Sequence, residues 1–244
     1  MSAASPRHAA EAALNHQIES ARTLKAERTA NPIVDGALSA IADWQGRRLA
    51  QTYADFAAQP RYRAAVGFFL FDLYGSRSTA WDAQLDRVAS RLSAALPERV
   101  IATVAHAMEL AVMSEELDRL LLGRLPRAVG SFSVAEYCRA YRRMGNDAAR
   151  RRQIELVGII GEALDDYVRR SWIHASLSMM RTPARLAGYG APHEFLERGF
   201  RAFRAMGGAQ EFLTTIKLRE TALLEKIFDG ALDPFPDPLN RLGI

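Results

Sequence analysis

"RYRAAVGFFLFDLYG", residues 61–75, decides the fold class. Phe68, Phe69, Leu70, Phe71 and Leu73 follow one another without polar alternation, so on a helix they point to every side of the axis. A helix that is apolar all round is normally buried all round. At ~1.5–3 kcal/mol per buried large side chain, the five contribute on the order of 7–15 kcal/mol before chain entropy is counted. The stretch therefore reads as the central apolar helix, 61–74, of an all-α, single-domain multi-helix bundle, stopped by Gly75.

Asp72 sits in the last turn of that helix. A carboxylate there faces the negative end of the helix dipole, and burial raises the cost further unless it is paired. Arg61, Arg63, Arg77 and the distant Arg219 are its candidate partners. A buried ion pair is the simpler reading, and a site carboxylate beside Tyr74 is the functional one.

Working outward, Ala, Leu, Arg and Glu dominate, and all four are strong helix formers. No run of alternating β-branched residues and no Asn-Gly hairpin signal occurs. Breaks at "NPIVDG", "QPRY", "LPER", "GRLPRAVGSFS", "MGND", "GYGAP" and "MGG" divide the chain into nine to ten helices. They are predicted near 5–28, 33–57, 61–74, 79–95, 98–122, 133–143, 147–171, 174–186, 192–206 and 209–229. Residues 1–30 read as a peripheral N-terminal helix, 31–230 as the helical core domain and 231–244 as an extended Pro-rich tail.

The 244 residues are enough to bury a core without staples, and the lone Cys138 excludes an internal disulfide. The first residues carry no continuous apolar run, and no stretch approaches the ~18 apolar residues of a membrane helix. These features predict a cytoplasmic protein with no membrane contact. The net charge is +4, and the basic residues are nearly all arginine, with Lys25, Lys217 and Lys226 the exceptions. With the alanine content this is the signature of a GC-rich bacterial gene, so the arginines are weak evidence for nucleic acid.

The segments "YADFAAQPRYRAAVGFFLFDLYG" (53–75) and "FLERGFRAFRAMGGAQEFLTTIKLRE" (195–220) resemble an uncharacterised bacterial family named for its FFLEELY motif. The resemblance spans about residues 45–229 and implies an all-α fold but no chemistry. Phe71 stands where the first glutamate of that motif would be, and Asp72 where the second would be.

Four constellations carry possible chemistry. His106 and Glu109 share a helix face at i, i+3, a pairing that suits a metal ligand set or a plain hydrogen bond. "PHEFLERGFRAFRAMGGAQEFL" (192–213) is faintly similar to a segment of tryptophan-dioxygenase-type haem proteins, which implies His193 as a haem ligand. Following Pro192 in a first helical turn, His193 is expected to face solvent. Cys138, among arginines, reads as a small core residue. The run "YCRAYRRMGNDAARRRQ" brings together Arg139, Arg142, Arg143, Arg150, Arg151 and Arg152, with Tyr137 and Tyr141 interleaved. Positive charge in the first turns of a helix opposes its dipole, so an anion is one explanation and pairing with Glu136 and Asp147 the simpler one. Gly158 and Gly161 would let a neighbouring helix approach closely. No G-x-S-x-G, H-E-x-x-H, Walker or G-x-G-x-x-G motif is present.

The sequence thus predicts a non-enzymatic helical binding or accessory protein that docks a protein partner or a second copy of itself, with no cofactor. Two other classes remain open. One is a haem- or metal-containing helical-bundle enzyme using His193 or His106 with Glu109. The other is an anion or nucleic-acid binder working through Arg139–Arg152.

Overall fold

The computed structural model describes residues 5–70, 97–126, 132–170 and 190–239, with a few positions between 173 and 186. Asp72, Tyr74 and the helix expected at 79–95 lie outside the described residues. Among those described, nine helices and no strand form one all-α unit. They are α1 (Pro6–Ala30), α2 (Pro32–Thr52), α3 (Ala54–Ala58), α4 (Pro60–Phe68), α5 (Glu98–Leu122), α6 (Val134–Arg143), α7 (Asp147–Val168), α8 (Gly190–Met206) and α9 (Gln210–Phe228). None is long and apolar enough to cross a membrane.

Local chemistry sets the boundaries. Ser5 and Asn31 each cap a following helix through a side-chain oxygen, and Pro6 and Pro32 occupy the first helical turn. Ser133 and Glu136 close a capping box at the start of α6. The helix expected at 33–57 breaks at Tyr53, which leaves helical geometry at φ −112°, ψ 20°. At that break the Tyr53 ring is buried and its hydroxyl donates to Glu220 of α9. Gly207 (φ +64°) and Gly208 (φ +135°) make the turn from α8 to α9, in a region side chains resist. Arg61 donates to the carbonyls of Met206 (2.6 Å) and Gly208 (3.2 Å), tying α4 to that turn.

Three apolar clusters hold the helices together. The largest joins Tyr62, Ala65 and Val66 of α4 to Leu156, Val157 and Ile160 of α7 and to Phe203, Phe212 and Ile216 of α8 and α9. On α4, Arg61, Arg63 and Ala64 are exposed while Tyr62, Ala65, Val66 and Phe68 are buried. A second cluster centres on Trp44, whose ring lies 4.4 Å from Tyr137, 5.2 Å from Phe132 and 5.9 Å from Phe235. Phe235 belongs to the Pro-rich tail, so the tail folds back on α2, and Gln51 donates to the Asp237 carbonyl. The third seats Leu14 and Ile18 of α1 on Ile101, Ala105 and Met108 of α5.

Two glycines set the closest approaches. A Cβ on Gly161 of α7 would stand 2.3 Å from Leu213 Cδ2 of α9, and one on Gly199 of α8 2.7 Å from Phe68 Cζ of α4. Gly158 has open space around it, so only one of the expected pair admits a neighbouring helix.

Candidate functional site

Nine polar side chains from five helices converge on the wall of one cavity of about 400 Å³, to which α1 adds Lys25 and Arg28. Gln45 and Arg48 come from α2, Ser114 and Asp118 from α5, and Tyr137 and Tyr141 from α6. Arg150 and Gln153 come from α7 and Glu220 from α9. Helical period explains the convergence. Ser114 and Asp118 are i, i+4, as are Tyr137 and Tyr141, and Arg150 and Gln153 are i, i+3, so each pair shares one face. On α7 that face continues through Val157 and Ile160, both buried.

The same period sends three consecutive arginines in three directions. Arg151 turns outward and pairs with Asp147 at 2.9 Å. Arg152 takes both oxygens of Glu109, at 2.9 and 3.1 Å, and Glu155 at 2.7 Å. Arg150, on the inward side, is only 6% exposed.

Lys25, Arg28 and Glu115 also stand on the cavity wall, Arg28 pairing with Glu115 at 3.7 Å, and the remaining ionic groups fall into two sets. In the first, Arg48 Nη1 donates to both Glu220 oxygens, at 2.7 and 2.8 Å. The Tyr53 hydroxyl adds a third bond to Glu220 at 2.9 Å. In the second, Arg150 Nη1 donates to Gln153 Oε1 at 2.9 Å, and Gln153 Nε2 donates to Ser114 Oγ at 2.8 Å. Ser114 donates in turn to the Leu110 carbonyl at 2.7 Å. That relay fixes the Gln153 amide with its oxygen toward the guanidinium.

Arg150 Nε and Nη2 are buried and have no acceptor. They form one edge of the guanidinium, the edge that grips a carboxylate with two parallel bonds. The rest of the group is fixed, by Gln153 and by Tyr141, whose ring centroid lies 4.6 Å from Cζ. An unpaired buried donor costs ~1–3 kcal/mol, and more when charged.

Asp118 is the counterpart of Arg150. Gln45 Nε2 donates to its Oδ1 at 2.8 Å. Burial pushes its carboxyl up to about 6, against the pull of Arg150 and the Gln45 bond and with a push from Glu115. It therefore gains or loses a proton close to neutrality. Burial also raises Tyr137 and Tyr141 above the ordinary phenol value, although Arg150 opposes this, so both hydroxyls stay protonated.

The expected arginine patch is thus divided. Arg139 is exposed, Arg142 donates to the Ile227 carbonyl at 3.2 Å, and Arg151 and Arg152 are ion-paired. Arg143, at the end of α6, is exposed and does not line the cavity. Arg150 alone of the six lines the cavity. Glu109 is held by Arg152, the partner the sequence did not assign to it, and His106 on the same helix is partly buried. His193 is 7% exposed, contrary to the solvent-facing position expected of it. α8 begins at Gly190, two residues before the expected start, which makes His193 its fourth residue. Cys138 is fully buried, and burial pushes its thiol up to about 11. Among the described residues no group of three or more His, Cys, Asp or Glu side chains is placed to hold a metal ion. Arg61 and Arg219, candidate partners for Asp72, are engaged by Glu211 and Asp55.

Sequence reading missed Gln45, Arg48, Asp118, Gln153 and Glu220. The available signal was polar residues recurring at helical spacing on otherwise apolar stripes.

No curated protein and no solved structure matches the chain. The five helices around the polar cluster all lie within residues 24–234, the span matched by one family model, and the chain belongs to that family, described as a domain of unknown function (DUF8198).

Proposed function

We propose that this chain is a binding protein that takes an amphipathic small molecule into its core by an anionic head group. The observation that carries the reading is Arg150: a buried residue of the cavity wall, pinned on one side, with two guanidinium nitrogens left unpaired. A mostly apolar pocket with a few convergent polar groups is the usual architecture of a small-molecule site, and about 400 Å³ is within the usual size range. Tyr137 and Tyr141 supply neutral hydroxyls beside the cation.

The test uses anilinonaphthalene sulfonate, an apolar probe with one anionic group, in wild type and Arg150→Met. Wild type binds it saturably and one to one, and hexanoate displaces it. Arg150→Met loses ~10–150-fold, the equivalent of one charge-assisted contact of ~1.5–3 kcal/mol. Equal affinity in the two proteins, with the variant's circular dichroism unchanged, refutes the reading.

Asp118 favours a second reading, acid–base catalysis on the bound molecule, because its carboxyl titrates near neutrality inside the same cavity. Asp118→Asn would then abolish turnover and leave probe binding intact. Docking of a protein partner or a second copy, and nucleic-acid binding through the arginine run, have less to rest on. Arg151 and Arg152 are already matched by carboxylates. A bacterial source and kinship with the FFLEELY-motif group rest on the resemblance carried by residues 53–75 and 195–220.

A further inference from the structure

The cavity has a direction. Its lining takes in Asp118 and Arg150 and, farther along α5 and α7, Thr103 and Tyr167, with α1, α2 and α9 on its other sides. The helices lie side by side: Ser114 of α5 meets Gln153 of α7, and nearer the start of α5 Thr103 meets Tyr167 at 2.9 Å. At 1.5 Å per residue, the path from Asp118 to Thr103 along α5 is ~22 Å. A lining that spans that length makes the cavity of about 400 Å³ elongated.

Its walls change character along the way. Between the two polar ends α5 contributes Val104, Ala107 and Ala111, and α7 contributes Val157, Ile160 and Leu164. Ala111 is exposed although Leu110 and Val112 on either side of it are buried. A small lining side chain with free surface at mid-length leaves room for a slender apolar body. Toward the start of α5 the Thr103 and Tyr167 hydroxyls bond each other and Arg99 O accepts from Tyr167, so the polar groups there are already satisfied.

We infer that the occupant is a long, unbranched alkyl carboxylate. Its head sits on the free edge of Arg150, and its tail lies between α5 and α7, past Ala111, toward Thr103 and Tyr167. This rests on the head-group reading above and adds the tail. The unpaired edge offers two parallel donors, and a carboxylate is chosen over a phosphate because Asp118 beside it disfavours a second negative charge.

The experiment is calorimetric titration of the full chain with octanoate, dodecanoate, hexadecanoate and hexadecyl phosphate, below their micelle concentrations. Wild type and Ala111→Phe are compared. Affinity in wild type rises at least tenfold from octanoate to dodecanoate, and hexadecanoate outbinds hexadecyl phosphate. Ala111→Phe blocks the cavity halfway, so hexadecanoate weakens at least tenfold while octanoate stays within about twofold. The wild-type series stands by itself if the variant does not fold. Equal affinity for octanoate and hexadecanoate overturns the inference, and so does equal weakening of all ligands by Ala111→Phe. A tenfold preference for the phosphate overturns the carboxylate assignment. In each of those cases an Arg150-dependent anilinonaphthalene sulfonate site still stands. Loss of that site as well sinks both readings.

Discussion

Replacing Asp118 by asparagine should change how the stability of this protein depends on pH, and the size of the change follows from the site. In the folded chain burial lifts the Asp118 carboxyl from the ordinary 3.8 to about 6. A raised carboxyl favours folding while it is protonated. Its contribution is fully present below about pH 4 and is lost as the pH climbs through about 6. A shift of roughly two units at 1.36 kcal/mol each makes wild type ~3 kcal/mol less stable at pH 7 than this group alone would leave it at pH 4. Asparagine keeps the Oδ1 that accepts from Gln45 and has no charge to lose. At pH 4 both proteins present a neutral group to Arg150, so their difference there measures only the exchange of acid for amide. The rise in that difference toward pH 7 isolates the charge. Urea unfolding at unit steps from pH 4 to 8 reads it directly. The Asp118→Asn protein should gain ~2–3 kcal/mol on wild type across that range, most of it between about pH 4 and 6. A difference that stays flat within ~0.5 kcal/mol would show that Asp118 is well solvated. A difference that falls would show that Arg150 outweighs burial, and either result refutes the electrostatic picture of the site.

Other expectations follow from single contacts. Gly161→Ala should lose ~1–3 kcal/mol in urea unfolding, because its methyl meets buried Leu213, whereas Gly158→Ala, with space around it, should gain ~0.4–1 kcal/mol. Ser133→Ala removes one side of a capping box and should cost ~1 kcal/mol with no effect on probe binding. Arg48→Met strands Glu220 without its cation and should cost ~3–5 kcal/mol, while Arg150→Met, which removes two unmatched donors along with one bond, should stay within ~1 kcal/mol of wild type in the same assay.

Most of the fold was legible because helix ends are written in local chemistry. Pro60, the Ser133 cap and the Gly207–Gly208 turn each mark a boundary that the structure places within a residue or two. The break at Tyr53 was not legible, because no proline or glycine marks it, and there the ring and hydroxyl of Tyr53 turn to partners on a distant helix. The candidate site was legible only in Arg150 and the interleaved Tyr137 and Tyr141, and for a coarse reason: the density of arginine around them. Which of three consecutive arginines points inward depends on how α7 packs, and Gly161 against Leu213 helps to set that. Asp118 lies in "SEELDRL", which reads as a solvated acidic run, yet Glu116 is exposed while Asp118 lines the cavity. A single sequence does not separate those two, because both answers satisfy the helical period.

The two arginines of the core bear on whether the open edge of Arg150 is a site or an accident of packing. Arg48 and Arg150 line the same cavity, and both are largely withdrawn from solvent. For Arg48 the fold supplies a carboxylate held from two sides, with Tyr53 completing the set. For Arg150 it supplies a neutral amide on one edge, a ring, and a carboxylate close enough to act through space that leaves its Nε and Nη2 open. This chain can therefore satisfy a buried guanidinium when only structure is at stake. A guanidinium left half-satisfied costs stability, and such costs persist in folded proteins where another function requires them. Asp118 fits the same logic. Placed in direct contact it would occupy the binding edge; placed far away it would leave the cation uncompensated. At intermediate range, titrating near neutrality, it balances Arg150 in the empty cavity and yields by taking up a proton when an anion arrives. Binding of a carboxylate should on that account strengthen as the pH falls from about 7.5 to about 5.5 in wild type, and lose that dependence in Asp118→Asn. An anion affinity with the same pH profile in both proteins would break the link between the two groups.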